Sequence, residues 1–453
     1  MAGGPMAAAR QALGAALEPA PAGGRPNFVF FLLDDLGWSD VSCYGSKYYD
    51  TPAIDRLAAE GMRFTDAYAA CPVCSPTRAS ILTGRYPARL NLTDWIPGHK
   101  RANPPLLVPA FNQELPLAEV TIAESLRAAG YTSASIGKWH LGGEPFYPDK
   151  QGFDLNVGGT HKGQPPSYFS PYRIPTLADG PKGEYLSDRL TDEAEKFIEA
   201  NRQRPFFLYF PHFAVHQPIQ ARKDLAAKYA AKPPDGKQNN ATYAAMIESV
   251  DQSVGRILAK LQALGIADRT ALFFMSDNGG LEPVTSNAPL RAGKGTLYEG
   301  GIREPLMVKW PGVVRPGSIC SVPVTSTDFF PTILQMAGLP PEPAHHVDGL
   351  SLVPLLRGSG PITREALYWH YPHYHKTTPG GAIRAGRWKL IEYFEDGRLE
   401  LYDLGADVGE TTDLAARMPD KARALRAMLQ AWRTSVGARM PTPNPDYRPA
   451  NRK

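Results

Sequence analysis

Several short runs of β-branched, aromatic and aliphatic residues constrain this chain most: Asn27–Leu33, Thr132–Ile136, Pro205–Phe210, Thr270–Met275 and Pro305–Trp310. They are nearly continuous in apolar character, so both faces of each strand must be buried, and they are separated by helical patterns. Strands of this kind alternating with helices predict an α/β fold, a large, mostly parallel mixed sheet sandwiched by helices. The helices have readable ends. Thr51 sits at an N-cap with Pro52 first in the helix and Gly61 just past its end, and Thr121 with Glu124 forms a capping box on a helix closed by Gly130. A longer helix is expected from about Ala241 to Leu264, stopped by Gly265.

Beyond about Leu356 the pattern changes. Ala382–Tyr393 and Arg398–Leu404 read as strands joined at Glu395-Asp396-Gly397, followed by a helix from about Lys421 to Val436. The expected division is a poorly ordered segment over 1–25, a main α/β domain over 26–355, a small C-terminal antiparallel sheet with a helix over 356–440, and a surface tail over 441–453. With 49 basic against 45 acidic side chains the net charge is +4, and no long basic run calls for nucleic acid. No stretch approaches the roughly 20 apolar residues of a membrane span. Four cysteines, Cys43, Cys71, Cys74 and Cys320, are too few for a disulfide scaffold and leave the compartment open. Residues 1–25 make a poor signal peptide because Arg10, Gln11 and Glu18 interrupt their apolar run.

Polar residues gather just after the predicted strands: Asp34-Asp35, Lys138 with His140, His212 with His216, and Asp277-Asn278. Ligands of open α/β sheets bind at the carboxyl ends of strands, so separate segments deliver acids, imidazoles and an ammonium to one sheet edge. An isolated Asp-Asp more often caps a loop. Coupled to Asp277-Asn278-Gly279-Gly280, it reads as a set of hard oxygen donors suited to Ca²⁺ or Mg²⁺, with Ca²⁺ favoured because a largely protein-made cage suits the larger ion. His212 lies near the same edge and is read as structural.

The segment Cys74-Ser75-Pro76-Thr77-Arg78, continued by Leu82-Thr83-Gly84-Arg85, resembles the one in which type I sulfatases, of the alkaline-phosphatase-like superfamily, oxidise a cysteine to Cα-formylglycine. The family's other motifs recur in order at Asp34-Asp35, Lys138-Trp139-His140, His216, Asp277-Asn278 and Lys294, so the resemblance covers nearly the whole chain. It implies a hydrolase of sulfate esters, with a sulfated carbohydrate as substrate, aryl sulfates as surrogates, and a maturation enzyme that converts Cys74. It also implies a divalent metal held by Asp34, Asp35, residue 74, Asp277 and Asn278. In the implied mechanism a hydroxyl of the hydrated aldehyde, activated by the metal and by Asp277 as base, attacks sulfur. The alcohol then leaves with a proton from His216 or Lys294. His140 next deprotonates the remaining hydroxyl to expel sulfate, while Arg78, Lys138 and Lys294 stabilise the charged oxygens. Family resemblance implies a periplasmic or secreted protein whose export signal has been removed, with a protein that stays in the cytoplasm as the alternative.

Substrate choice is expected on loops. His161, Lys162 and Gln164, with Tyr168, lie on a Gly/Pro-rich loop, and Trp369, His370, His373 and His375 form a polar-aromatic cluster where the C-terminal part begins. These segments are read as a sugar subsite, although a solvated loop and a domain-interface cluster fit the residue types equally. Two alternatives stay open at this level: a phosphonate or phosphodiester hydrolase of the same superfamily, and a non-catalytic sulfated-glycan binder in which Cys74 stays unmodified.

Overall fold

The computed structural model describes residues 24–449, so nearly all of the segment expected to be poorly ordered, and the last four residues of the tail, lie outside the described residues. In chain order the strands are β1 Asn27–Leu33, β2 Met62–Tyr68, β3 Leu106–Leu107, β4 Thr132–Ile136, β5 Leu155–Val157, β6 Phe206–Pro211, β7 Thr270–Ser276, β8 Arg303–Lys309, β9 Ser318–Cys320, β10 Val324–Thr325, β11 Leu367–Tyr371, β12 Gly380–Ala385, β13 Trp388–Tyr393, β14 Leu399–Asp403 and β15 Thr442–Pro443. The main sheet has nine strands in the order β10-β2-β8-β7-β1-β6-β4-β5, with β9 also beside β2. All its pairings are parallel except those of β8, which runs against both β7 and β2.

Strand β1 lies at the centre, and every one of its residues is fully buried. Its side chains alternate between two cores, as a period of two requires. Val29, Phe31 and Leu33 pack beneath helices 186–200 and 241–263. Phe28, Phe30 and Leu32 pack on the other face with Ile81 and Leu82 of helix Cys74–Thr83, Leu126 and Ile333. A strand that feeds two cores has no polar side, which is why its sequence reads as one apolar run.

The capping box at Thr121 and Glu124 forms, with both reciprocal bonds present. Helix Pro52–Glu60 begins after Thr51 as expected, but the Thr51 hydroxyl bonds Asp55 and Ser42 side chains, and the exposed amides are capped from elsewhere: Asp251 accepts from Ile54 N at 2.8 Å and Ala53 N at 3.2 Å.

The C-terminal part is a four-stranded antiparallel sheet, β11-β12-β13-β14. The run expected as one strand over 382–393 is a hairpin, because Gly386 takes a positive φ of 57° that turns the chain between β12 and β13. Helix Pro419–Ser435 covers one face of this sheet with Leu425 and Leu429. The other face, carrying Trp369 and Ile391, packs on Tyr68 and Ile302 of the main unit. Charges are buried in this junction: Lys389 Nζ lies 2.9 Å from both Glu299 and Glu410, and Arg384 and Arg303 both reach Asp66. The tail is tied down at β15, which pairs with β3. No helix among the described residues is long and apolar enough to cross a membrane.

Candidate active site

The strand ends are stitched to one another by backbone bonds that fix the side chains beyond them. Asp277 N donates to Leu33 O at 2.9 Å, His212 N to Leu32 O at 2.9 Å, and Lys138 N to Pro211 O at 2.7 Å. The last contact needs a glycine before it, since a Cβ on Gly137 would sit 1.9 Å from Pro211 O. Asp35 and His140 both hold left-handed backbone, with φ of 62° and 61°. Non-glycine residues rarely adopt this conformation, and it concentrates at sites where side-chain aim matters more than local comfort.

Cys74 opens the fully buried helix Cys74–Thr83, which brings its Sγ to the same edge. Sγ lies 3.6 Å from Asp34 Oδ1 and 3.6 Å from Lys294 Nζ. Burial pushes the thiol up to about 12, so an unmodified Cys74 stays protonated and is a weak nucleophile. Lys138 Nζ holds Asp34 Oδ2 at 2.6 Å, and Arg78 clasps Asp277 with Nε at 2.8 Å and Nη2 at 2.7 Å. Three carboxylates, Asp34, Asp35 and Asp277, are thus interleaved with three cations, Arg78, Lys138 and Lys294. Burial raises Asp277 to about 6, helped by the nearby Asp34 charge. Asp35 is also buried, yet Lys294 overrides that and holds it well below the usual carboxylate range.

Two imidazoles have assigned tautomers. His140 Nε2 is 2.6 Å from Ile96 O, and a carbonyl only accepts, so Nε2 carries the hydrogen and buried, unpartnered Nδ1 keeps the lone pair. Burial, reinforced by Lys138, keeps this ring neutral. His216 Nδ1 donates to Gln217 O at 2.9 Å, leaving Nε2 facing Asp35 Oδ2 at 3.7 Å.

The sulfatase family profile matches residues 26–339, and the profile described as N-sulphoglucosamine sulphohydrolase, C-terminal, matches residues 293–433. The chain belongs to the sulfatase family. It is therefore a sulfuric ester hydrolase. It is 36% identical to a sulfatase of Formosa agariphila over 90% of this chain and 88% of that one. It is 37% identical to human N-acetylgalactosamine-6-sulfatase over 79% of this chain and 70% of that one. Among solved structures, Ps i-CgsB in complex with k-i-k-neocarrahexaose matches with a TM-score of 0.78 and 30% identity, over 90% of this chain and 93% of that one.

Of the residues expected to hold a metal in this sulfatase, Asp34, Asp35 and Cys74 each offer a ligand atom within 4.8 Å of the others, and His216, expected in another role, joins them. Asp277 adjoins this group, its Oδ1 accepting from Asp35 N at 3.3 Å. Asn278 Nδ2 donates to Asp35 Oδ1 at 2.8 Å, while its Oδ1 is buried without a partner. An orphaned amide oxygen beside clustered carboxylates is an oxygen donor set that a hard divalent cation satisfies, so these residues fit the group.

Above Cys74 this sulfatase has a cavity of about 670 Å³, lined among others by His140, His216, Lys294, His161, Lys162, Gln164 and His375. Four residues expected at a sugar subsite lie elsewhere, because their polar atoms serve the fold. The Tyr168 hydroxyl is buried and donates to Phe213 O and His216 O, bracing the segment that carries His216. His370 Nε2 bonds Arg439 O at 2.9 Å, and His373 Nε2 bonds Thr93 Oγ1 at 2.8 Å. Trp369 is core, its indole donating to Ala69 O. His212 packs on Phe210, 4.2 Å between ring centroids. Sequence reasoning missed Trp95, Ile96, Pro97, Gln217, Leu281 and Lys376, which also line the cavity. They come from loops without a motif, and only the aromatic-proline content of Trp95-Ile96-Pro97 hinted at a shaped wall.

Proposed function

We propose that this sulfatase removes sulfate from a sulfated carbohydrate using a formylglycine made from Cys74 and a divalent cation, Ca²⁺ in preference to Mg²⁺. The observation that carries this reading is the placement of Cys74 Sγ at the floor of a cavity, within 3.6 Å of both Asp34 and Lys294. Formylglycine supplies a hydrated aldehyde whose hydroxyl attacks sulfur and whose carbonyl re-forms when sulfate departs. The cation, held by Asp34, Asp35, Asp277, Asn278 and residue 74, supplies positive charge where anionic oxygens gather.

The remaining roles follow from the residues themselves. Asp277, with its proton affinity raised by burial, is the base that takes a proton from the attacking hydroxyl. Lys138 and Lys294 present ammonium groups to the sulfuryl oxygens, and Arg78 fixes Asp277 as a rigid fork. Lys294 Nζ, an ammonium, is placed to give a proton to the leaving alcohol, and His216, whose Nδ1 hydrogen is held by Gln217 O, turns its Nε2 lone pair toward the same place and serves as donor only once protonated there. His140 Nδ1, the free lone pair, accepts the proton whose loss releases sulfate. The carbohydrate assignment is supported by relatives whose names specify N-acetylgalactosamine and k-i-k-neocarrahexaose, and by a cavity wall of Trp95, Gln164, Gln217 and imidazoles, which suits a polyhydroxylated ring.

Peptide mass spectrometry across Cys74 tests the nucleophile, with an expected loss of about 18 Da. Turnover of nitrophenyl sulfate well above that of the matching phosphate diester tests the reaction, and release of sulfate from a sulfated saccharide tests the substrate class. Conversion without any sulfate-ester turnover would sink the reading.

A further inference from the structure

Among the described residues, no aspartate or glutamate lines the cavity over Cys74. Beyond Lys294, which is tied to Asp35, it carries Lys162 and Lys376, whose ammonium groups make no hydrogen bond or ion pair among the described residues.

These two lysines approach the reaction centre from different walls. Lys162 precedes Gly163, whose backbone presses so closely on the His140 ring that a Cβ there would lie 2.6 Å from Cε1. Lys376 runs its stem along Gly295, the residue after Lys294, with its Cγ 3.0 Å from where a Cβ would be. Both are exposed, whereas Lys138 is wholly buried beside Asp34. The scissile sulfate belongs at the depth of Cys74, so it leaves the outer pair of charges unanswered. A neutral sugar would leave them unanswered too. Clefts of one charge sign concentrate oppositely charged ligands, and an ammonium pairs with a carboxylate or sulfate through charge-assisted hydrogen bonds.

We propose that the leaving saccharide carries a second anionic group, a carboxylate or a further sulfate ester, bound between Lys162 and Lys376. This inference rests on the carbohydrate-sulfatase reading and names the substrate class within it. Lys162 and Lys376 are then specificity determinants that select polyanionic over singly charged sugars.

The test uses formylglycine-converted, metal-loaded enzyme and three matched disaccharides bearing the same sulfated ring: one with a neutral neighbour, one with a uronic acid, and one with a second sulfate. The expected result is a kcat/KM at least about tenfold higher on one of the doubly charged sugars, equivalent to about 1.4 kcal/mol. That ratio should fall toward one in the Lys162→Ala/Lys376→Ala double variant and persist in Lys162→Arg/Lys376→Arg. Which doubly charged sugar is preferred separates carboxylate from sulfate. Because the readout is a ratio within each variant, a partial loss of folded protein does not imitate the result. A wild-type ratio near one, or a ratio untouched by the alanine pair, would overturn the inference while leaving the carbohydrate reading standing. Turnover of nitrophenyl sulfate with none of the saccharides would overturn both.

Discussion

The ammonium of Lys294 stands between Asp35 and Cys74, with Nζ 2.6 Å from Asp35 Oδ1 and 3.6 Å from Cys74 Sγ. One charge thereby neutralises a buried carboxylate and, in the proposed reaction, faces the site where anionic oxygens develop. Lys294→Met should lower kcat on nitrophenyl sulfate by about two to three orders of magnitude, the range found when a preorganised charge or donor is removed from a developing anion. Steady-state kinetics alongside an unchanged far-UV spectrum checks this, and a loss below tenfold would remove Lys294 from the catalytic set.

Cation binding should be visible without catalysis. A ligand that binds only the folded state stabilises it by about 2.7 kcal/mol at a hundredfold excess over Kd. Added Ca²⁺ should therefore raise the Tm of the stripped protein. Asn278→Ala, which deletes the unpartnered Oδ1, should shift the Ca²⁺ concentration needed for half that rise upward by about tenfold or more. Identical titrations in both proteins would take Asn278 out of the cation site.

Asp94 makes a pH-dependent strut beneath the cavity wall. It accepts from Tyr371 Oη at 2.8 Å, Trp95 N at 2.9 Å and His99 N at 3.3 Å, joining the C-terminal sheet to the loop whose Ile96 O fixes the His140 tautomer. Burial raises its carboxyl to about 7. An acid with a folded pKa above its unfolded value binds more protons in the native state. Its contribution is complete below about pH 4 and is lost as pH rises through about 7. Wild-type Tm should therefore fall more steeply between pH 5 and 8 than that of Asp94→Asn, and parallel curves would contradict the assignment.

Lys389 is completely buried between Glu299 and Glu410. Lys389→Met would leave Glu410 without its cation and, among the described residues, Glu299 with Arg303 alone, at 3.2 Å. Removing one partner of a buried ion pair typically costs 3–5 kcal/mol, so an unfolding free energy lower by about that amount is expected by denaturant titration. A change under about 1 kcal/mol would mean that water already screens the junction.

How far the sequence could be read follows from the physics of each segment. The bounds of β1 agree with the apolar run that predicts it, because full burial on both faces leaves no polar interruption after Asn27; those of β4 agree as well, although it reads Thr-Ser-Ala-Ser-Ile and the buried Ser133 hydroxyl is satisfied by Gly152 O. Strand β2 escaped notice because Arg63, Thr65 and Asp66 break its pattern, and Asp66 is tolerated there only through Arg303 and Arg384, which lie far away in the chain. The antiparallel course of β8 is likewise invisible in composition. At the site, residues directly after strand ends were legible since the sheet itself places them together. Tyr168, His370 and His373 were not, because a side chain that bonds backbone inside the fold has the same letters as one that faces a ligand. Lys376 was not, because its position depends on how the C-terminal unit docks.

That docking sets a limit on dissection. The residues proposed to react all belong to the main sheet or its loops, but His375 and Lys376 close the cavity from the C-terminal side and Tyr371 steadies the loop opposite. A fragment ending near residue 355 would keep every group named in the chemistry and lose a wall of the vessel. Such a fragment would resemble a lock with its pins intact and its barrel cut open, and divergence between sulfatases of this build can proceed by recutting that wall while the pins stay still.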